Sequence, residues 1–271
     1  YDSLLNALEA IQSMMKDRAF GEAGSRLVIE EFMQGEEVSV FALSDGQSFV
    51  VIGNAQDHKR IGEGDTGPNT GGMGAYSPAP ILELDPDLDE RVVNEIIAPV
   101  LQGMAEDGMP YVGVLYAGLM ITQDGPKVVE FNCRFGDPEC QVLIPSIQSD
   151  LLELLYATAT GYLSDVDVIN DLQHRCTIVL ASAGYPGNYE KGKAITGLEQ
   201  LADDTLIFHS GTKITDEGLV TNGGRVLNVV QSGQSLENAL QKAYNDVERV
   251  YFEGKTYRKD IGAKGLAHYE S

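Results

Sequence analysis

A glycine-rich stretch, residues 56–80, has the residue types in this chain that best suit the binding of an anion. Six glycines fall between Gly62 and Gly74. The basic side chains just before them are His58, Lys59 and Arg60. Glycines let backbone N–H groups approach a ligand closely, and neighbouring amide dipoles can form a concavity that holds an anion. The stretch therefore predicts a polyanion site.

The alternative is a mobile surface loop, because glycine-rich loops are common at protein surfaces. Against it, the stretch mixes its glycines with polar and aromatic side chains, unlike a Gly/Ser linker. These side chains are Asp57, Asp65, Asn69, Thr70 and Tyr76.

The charge of the chain makes the basic cluster more informative. The 271 residues include 41 acidic and 19 basic side chains, which give a net charge of -22. Such a chain should repel nucleic acid and anionic membranes, because phosphate contacts require dense Lys and Arg. A site for an anionic metabolite must then supply its own local positive charge or a metal ion.

A second candidate site lies in residues 127–139, which begin as a strand. Glu130 and Asn132 project to one face of that strand, since side chains alternate between faces. A carboxylate and an amide oxygen on one face can share Mg²⁺, which takes its other ligands from water and phosphate. Arg134 could brace a phosphoryl group. The alternative is an ordinary edge strand whose Glu and Asn face solvent.

A third candidate is the segment 28–37, which we interpret as part of a hairpin. Adenine needs an apolar slot with a backbone donor and acceptor, and a chain leaving a strand offers both. A carboxylate there can accept two hydrogen bonds from a ribose diol. The alternative is a solvated acidic hairpin.

The elements that must position these residues follow from hydrophobic spacing. Helical spacing predicts a first helix from Leu4 to about Lys16 and another over residues 85–107, kinked at Pro99. Strands at 26–32 and 37–43 are predicted to pair around a Gln34-Gly35 turn. Further predicted elements are a strand at 48–55, a hairpin of 112–122 with 127–132, and a helix over 149–160.

The last hundred residues read as a separate part. From Arg175 the pattern gives a strand, four short strands, and a long helix from Leu236 to about Tyr251. We place a domain boundary near residues 163–174, with domains at 1–165 and 166–271. Hairpins mixed with helices indicate an α+β fold with a small C-terminal α/β domain.

Compartment signals are few. The sequence contains no run of about 18 apolar residues and no recognisable signal peptide. The three cysteines, Cys133, Cys140 and Cys176, are too few and too irregularly spaced for a disulfide framework or a zinc site. Free thiols in a reducing cytoplasm are therefore expected.

Taken in order, these segments resemble the phosphoribosylamine–glycine ligases, or glycinamide ribonucleotide synthetases, which are ATP-grasp enzymes of purine synthesis. The resemblance rests on Ile-Glu-Glu-Phe at 29–32, Gln-Asp-His-Lys-Arg at 56–60, Thr-Gly-Pro-Asn-Thr-Gly-Gly-Met-Gly at 66–74 and Glu-Phe-Asn-Cys-Arg-Phe-Gly-Asp-Pro-Glu at 130–139. It continues through Gly-Gly-Arg at 223–225 and Gly-Lys-Thr-Tyr-Arg-Lys-Asp-Ile-Gly at 254–262, and so covers essentially the whole chain.

The resemblance implies roles for particular residues. Glu30, Glu31, Phe32 and Met33 would form the hinge that reads adenine through the backbone, and Glu37 would hold the ribose. Glu130 and Asn132 would bind Mg²⁺ or Mn²⁺ without a carboxylate from the preceding strand, 116–120. The cations that would face the phosphoryl group are Lys59, Arg60 and Arg134. The residues that would hold the substrates are Asp57, His58, Asp65, Thr70, Gly71, Gly72, Met73, Asp137, Pro138 and Glu139.

The implied function is ATP-dependent joining of glycine to 5-phosphoribosylamine, with small-molecule substrates, ATP and a divalent cation. A cytoplasmic monomer or weak oligomer without nucleic-acid or membrane partners is expected. The resemblance also implies that an N-terminal domain and the start of the ATP-grasp domain precede this sequence, so activity of this piece alone is an open question. Two alternatives stay open: a non-catalytic fragment, and an ATP-grasp ligase that uses another acid and amine.

Overall fold

A computed structural model describes residues 3–270 and divides the chain into two compact units, Tyr1–Gly35 and Glu36–Ser271. The first unit contains helix α1, Leu4–Ile11, which continues as a π-helical segment, Gln12–Lys16. Ser3 caps α1 by accepting a hydrogen bond from the Asn6 amide at 3.2 Å. The predicted first helix and its end near Lys16 are confirmed.

The second unit contains the strands and the other α-helices of the described residues, while a 3₁₀ helix, Gly21–Ser25, belongs to the first. The strands are β1 Glu36–Asp45, β2 Phe49–Asp57, β3 Arg60–Gly62, β4 Thr66–Asn69, β5 Gly74–Ser77, β6 Val112–Thr122, β7 Gly125–Asn132, β8 His174–Ser182, β9 Leu206–His209, β10 Thr212–Thr215, β11 Gly218–Thr221, β12 Arg225–Gly233 and β13 Lys255–Thr256. The helices are α2 Pro80–Glu83, α3 Pro86–Val92, α4 Ala98–Glu106, α5 Cys140–Leu143, α6 Leu151–Thr160, α7 Leu236–Arg249 and α8 Ala263–Glu270.

Most of these strands form one antiparallel sheet. Its order within residues 36–270 is β7-β6-β1-β2-β5-β8-β12-β9, and β13 pairs with β8. The sheet has a narrow seam between β2 and β5, where only Gln56 with Tyr76 and Asp57 with Ala75 are in register. The glycine-rich loop, defined from here on as residues 58–73, connects these two strands and therefore leaves the sheet at the seam.

Helices cover both faces of the sheet because alternate residues of β1 are apolar on both sides. Val38 and Val40 pack in a cluster with α2, α3 and α4, and Phe41 and Leu43 pack in another with α5 and α6. Beyond the seam, β8 and β12 form a third cluster with α7. The sheet is thus a rigid support on each side of the loop.

Several predicted elements are confirmed at nearly the expected bounds. These are the hairpin of β6 and β7, the helix over 151–160 closed by Gly161, and the long helix α7. Asp85 caps α3 through the Leu88 amide, and a π-helical segment, Val93–Ile97, interrupts the predicted helix just before Pro99.

The predicted hairpin between residues 26–32 and 37–43 is wrong. Residues 27–34 lie in no helix or strand, whereas 36–45 form β1. Both edges of β1 are already paired, with β2 on one side and β6 on the other. No edge remains for the preceding segment to pair with, although its residue pattern favours a strand.

The α+β fold class is confirmed by this architecture. The domain boundary near residues 163–174 falls in the connection from α6 to β8 and stays a prediction. Within residues 3–270, no helix is long and apolar enough to span a membrane.

Candidate functional site

Three of the side chains that sequence motifs single out, Glu37, Asp57 and Lys59, line a small cavity that extends from β7 across β6 and β1 to the end of β2. Its walls come from the ends or middles of four strands and from the first residues of the glycine-rich loop. The lining residues are Glu37, Val38, Ser39, Asp57, Lys59, Tyr116, Gly118, Leu119 and Val129. Candidate ATP, phosphate and substrate residues are therefore close together here.

Lys59 is the cation of this group. Its ammonium pairs with Glu37 Oε2 at 2.8 Å, and both side chains are partly exposed. Burial disfavours the charged form of Lys59, but the hydrogen bond and charge of Glu37 outweigh that effect and raise its pKa. Asp57 and Glu130 also attract it. Lys59 thus carries a stable positive charge between the loop and the candidate metal ligands.

Two carboxyl groups, Asp57 and Glu139, lie behind Lys59. Burial raises the pKa of Asp57 well above its usual range, and the charge of Glu139 adds to the effect. Burial also raises the pKa of Glu139, which is 3 % exposed. Two adjacent carboxyl groups in such a site do not both ionise readily, so a cationic group would favour their ionisation. Within residues 3–270, the buried Asp57 Oδ1 has no hydrogen-bond partner.

The candidate metal ligands lie on the edge strand β7. Asn132 Nδ2 donates to Glu130 Oε1 at 3.1 Å, so the two side chains share one face as predicted. Gly118 of β6 pairs with Glu130 and offers no side chain of its own. The pair fits Mg²⁺, because a carboxylate and an amide supply hard oxygen ligands. No group of three or more His, Cys, Asp or Glu that could hold a metal occurs in the described residues, so water and phosphate would complete the coordination.

Two other predicted cations are more exposed. Arg60 donates to the Gly67 carbonyl oxygen at 2.7 Å and thereby closes the loop on itself. Arg134 donates to the Phe135 carbonyl oxygen at 2.9 Å. Both guanidinium groups can turn toward an anion, and their predicted contact with the phosphoryl group stays a prediction.

Several predicted substrate residues have contacts that organise the loop itself. Thr70 Oγ1 donates to the Lys59 carbonyl and accepts from the Gly72 amide. The side chain of Met73 is buried, and its amide bonds to the His58 carbonyl oxygen. His58 is 3 % exposed, and burial together with the charge of Arg258 lowers its pKa to about 4. His58 is therefore neutral at pH 7 and adds no positive charge to the predicted polyanion site.

Asp65 is engaged by cations of the C-terminal part. Arg258, which is 2 % exposed, donates to Asp65 Oδ1 at 2.8 Å, and Lys264 also pairs with Asp65. Burial opposes ionisation, but these two cations lower the pKa of Asp65 to about 2. Its carboxylate therefore anchors the loop, and a contact with substrate would have to compete with both cations.

Arg258 has further hydrogen-bond partners in the loop and in the C-terminal part. Arg258 also donates to both oxygens of Asp260 and to the Arg60 carbonyl, and Asp260 accepts from the Gly64 amide at 2.8 Å. The loop is thus fastened to residues almost two hundred positions away. These charged hydrogen bonds hold the loop on both sides of Gly64 and favour a fixed loop over the alternative of a mobile one.

The other predicted substrate residues lie where the tip of the loop meets residues 137–139. Gly72 approaches Pro138, and Arg225, which lies against Gly71, pairs with Asp137 at 3.1 Å. An open cavity of about 640 Å³ adjoins them, lined in part by Asp137, Gln141, Tyr185 and Arg225.

Sequence reasoning missed the residues that fasten the loop: Tyr185, Arg225, Arg258, Asp260 and Lys264. The motifs at 223–225 and 254–262 did contain Arg225, Arg258 and Asp260, but nothing in their spacing indicates a partner in residues 60–72. One sequence feature could have indicated their role: Arg225 and Arg258 are basic residues within glycine-containing motifs of an acidic chain.

The predicted adenine-binding residues belong to the first unit. Glu30, Glu31 and Phe32 are exposed and Met33 is half-buried, in a segment without regular structure. Their backbone donors and acceptors are not engaged in a sheet ladder. The predicted adenine contact stays a prediction.

Two family profiles match the chain. Residues 2–140 match the phosphoribosylglycinamide synthetase ATP-grasp (A) domain, and residues 175–264 match the C domain of the same synthetase. The chain belongs to the phosphoribosylglycinamide synthetase family. The ATP-grasp fold expected from the sequence is thereby confirmed.

Individual synthetase relatives cover nearly all of the chain. The phosphoribosylamine–glycine ligase of Agrobacterium fabrum is 50% identical over 96% of this chain and 61% of the relative. That of Arabidopsis thaliana is 49% identical over 97% of this chain and 50% of the relative. The chain thus spans only half to three fifths of the length of these relatives.

A solved structure supports the same assignment. Phosphoribosylamine–glycine ligase from Thermotoga maritima is similar with a TM-score of 0.74 and 39% identity, over 86% of this chain and 57% of that one. The ATP-grasp (A) domain match over residues 2–140 includes both the seam and the loop.

The pKa of His58 gives a first test. We expect its imidazole to stay neutral from pH 7 to pH 5 and to titrate near pH 4, because burial and Arg258 disfavour the cation. An unfolded histidine protonates near pH 6.5, so the unfolded chain binds more protons in between. The contribution of His58 to stability is therefore full above about pH 6.5 and is lost as the pH falls toward 4. NMR titration of the ring measures this directly.

The control for this titration is the same histidine in urea, which should titrate near its ordinary value of about 6.5. A midpoint near 6.5 in the folded protein would show that His58 is hydrated and would contradict the buried site described here.

Arg258→Met tests the anchor of the loop. The substitution leaves Asp65 and Asp260 without their shared guanidinium, and removing one partner of a buried pair typically costs about 3–5 kcal/mol. Since both carboxylates are about a quarter exposed, we expect the free energy of unfolding to fall by roughly 2–3 kcal/mol. Urea denaturation measures the loss.

Arg91→Met is the matched control, because Arg91 makes an exposed ion pair with Glu95 on a helix surface. This variant should unfold at nearly the same urea concentration as the wild type. An equally small effect of Arg258→Met would mean that the arginine network does not hold the loop.

Proposed function

We propose that this chain supplies the catalytic centre of an ATP-dependent ligase that joins glycine to 5-phosphoribosylamine. The observation that carries the proposal is the position of Lys59 in this synthetase-family chain. Lys59 lines one cavity with Asp57, and it is attracted by the charge of Glu130, which is the partner of Asn132 on β7. Positive charge, a carboxyl pair and hard oxygen ligands are the groups that this reaction requires.

ATP would be bound through its adenine by the backbone of residues 30–33, where Glu30, Glu31, Phe32 and Met33 lie. Glu37 would hold the ribose. Its Oε2 is paired with Lys59, so a ribose hydroxyl would use Oε1. A ribose held by Glu37 would bring the triphosphate toward Lys59, because Lys59 pairs with the same carboxylate.

Mg²⁺ or Mn²⁺ would bind to Glu130 and Asn132, with phosphate and water as the other ligands. When bound, the cation would supply positive charge that reduces the repulsion between a carboxylate and a triphosphate. Mn²⁺ could take the place of Mg²⁺ at these residues, because both ions prefer oxygen ligands.

The reaction has two steps. A carboxylate oxygen of glycine attacks the γ-phosphorus of ATP, the bond to ADP breaks, and glycyl phosphate forms. The amine of 5-phosphoribosylamine then attacks the glycyl carbonyl carbon, phosphate leaves, and the nitrogen loses a proton. The products are glycinamide ribonucleotide, ADP and phosphate.

The residues of this chain would lower both barriers. Lys59, Arg60 and Arg134 would stabilise the negative charge of the transferring phosphoryl group. The Asp57–Glu139 pair would receive the amino group of a substrate, since burial makes an ammonium ion its best partner. The loop residues His58, Asp65, Thr70, Gly71, Gly72 and Met73, with Asp137 and Pro138, would shape the substrate pocket and exclude the water that hydrolyses acyl phosphates.

The organisation we propose has an ATP-grasp part at 1–165 and a C-terminal part at 166–271. The two profile matches, 2–140 and 175–264, support that division. We further propose that the substrates are small molecules and that the protein is a monomer or a weak oligomer.

Glu130→Ala tests the site in the longest native polypeptide that contains this sequence. We expect ligation to fall at least about 100-fold at saturating ATP and glycine, because metal-ion charge stabilisation is worth several kcal/mol in such transition states. The measurement is ADP release that depends on both glycine and 5-phosphoribosylamine.

Asp124→Ala serves as the control, because Asp124 is an exposed acid in the turn of the same hairpin. It should keep the wild-type rate. A near-normal rate for Glu130→Ala at saturating Mg²⁺ would reject the metal assignment. Absence of ligation in the wild type itself would favour a non-catalytic role or another acid and amine.

A further inference from the structure

Arg225, the first residue of β12, joins parts of the chain that are distant in sequence. Its Nη1 donates to the Gly71 carbonyl at 2.6 Å and to the Asp137 carbonyl at 3.0 Å. Its Nη2 pairs with Asp137 Oδ2 at 3.1 Å. One guanidinium therefore fixes the distance between the tip of the glycine-rich loop and the segment after β7.

A tyrosine holds the same peptide from its other side. The Gly71 amide donates to the Tyr185 hydroxyl oxygen at 3.0 Å, and the Tyr185 ring lies against Gly224. A Cβ atom at residue 71 would lie 2.9 Å from the Arg225 Cζ, so a larger residue there would displace the guanidinium. Both polar groups of Gly71 are thus engaged by residues of the C-terminal part.

The contacts that Arg225 and Tyr185 make with Gly71 also affect the buried carboxyl pair, Asp57 and Glu139, because the next residue, Gly72, lies against its surroundings. A Cβ at Gly72 would collide with Pro138 and would lie 2.7 Å from Asp57 Oδ1. Asp137 is further fixed by Gln141, which donates to its Oδ1 at 3.0 Å. A shift of the tip would therefore change the walls around Asp57 and Glu139.

We propose that Arg225 is a positioning residue, which holds the tip of the loop and Asp137 at the separation that a bound amine substrate requires. The role rests on the proposed function for the identity of that substrate. Both terminal nitrogens of the guanidinium already contact protein oxygens, and the side chain is only 19% exposed. It therefore acts on the ligand through Gly71, Gly72 and Asp137.

The test is the kinetics of Arg225→Ala in the longest native polypeptide. We expect the KM for 5-phosphoribosylamine to rise about tenfold or more, since hydrogen bonds to a charged group carry at least that factor. The KM for ATP should stay near wild type, although the melting temperature should fall because the lost hydrogen bonds also stabilise the folded chain. Arg225→Lys should recover part of the loss, because lysine keeps the charge but not the planar fork.

Arg91→Ala is the control, since it removes an arginine from an exposed helix surface and should change no KM. Equal KM values for Arg225→Ala and wild type, or an equal rise for ATP and the amine, would overturn the proposal. If Arg225→Ala does not fold, Tyr185→Phe takes its place, because it removes only the acceptor of the Gly71 amide. The same changes in the KM values for the amine and for ATP then decide the proposal.

A second measurement separates this proposal from the proposed function. Amide hydrogen exchange at Gly71 requires no turnover, and Arg225→Ala should accelerate it about tenfold or more while β8 keeps its protection. Unchanged exchange at Gly71 would overturn the positioning role. A wild type without ligation would instead reject the proposed reaction, with the exchange result still deciding the role of Arg225.

Discussion

The site depends on one buried cation, the guanidinium of Arg258, which fastens the glycine-rich loop to the rest of the fold. A guanidinium that is 2 % exposed is costly to desolvate unless its charge is matched, and here Asp65 and Asp260 match it. Because Asp260 also accepts the Gly64 amide, the ion pairs fix backbone as well as side chains. A loop rich in glycine would otherwise lose much conformational entropy on ordering, and these contacts offset that cost.

The seam between β2 and β5 explains why the chemistry gathers where it does. Only two residue pairs join these strands, so the chain between them is free to leave the sheet and to form a pocket. Asp57 ends β2 at this point, and Lys59 follows within two residues. The strands on the β2 side of the seam then supply Glu37 from β1, Tyr116 from β6 and the Glu130–Asn132 pair from β7. Arg225 and Arg258 hold the loop from the C-terminal side.

The sequence predicted the parts of this arrangement that depend on local chemistry. The hairpin of β6 and β7 follows from its Asp-Gly-Pro turn, and the shared face of Glu130 and Asn132 follows from strand alternation. The prediction of a strand at 26–32 was wrong because a strand needs a free edge of its partner to pair with, and both edges of β1 are occupied. The neutral state of His58 and the anchoring of Asp65 were beyond sequence reasoning, since both depend on Arg258, about two hundred residues away.

The central claim is that the glycine-rich loop is a fixed wall of the site, held by charges from the C-terminal part. Native-state hydrogen exchange of the Gly64, Thr70 and Met73 amides tests it most directly, because each donates a hydrogen bond within this arrangement. We predict that these amides exchange no faster than those of β8, through opening of the whole second unit. Exchange at the rate of an unstructured peptide, with β8 still protected, would contradict it.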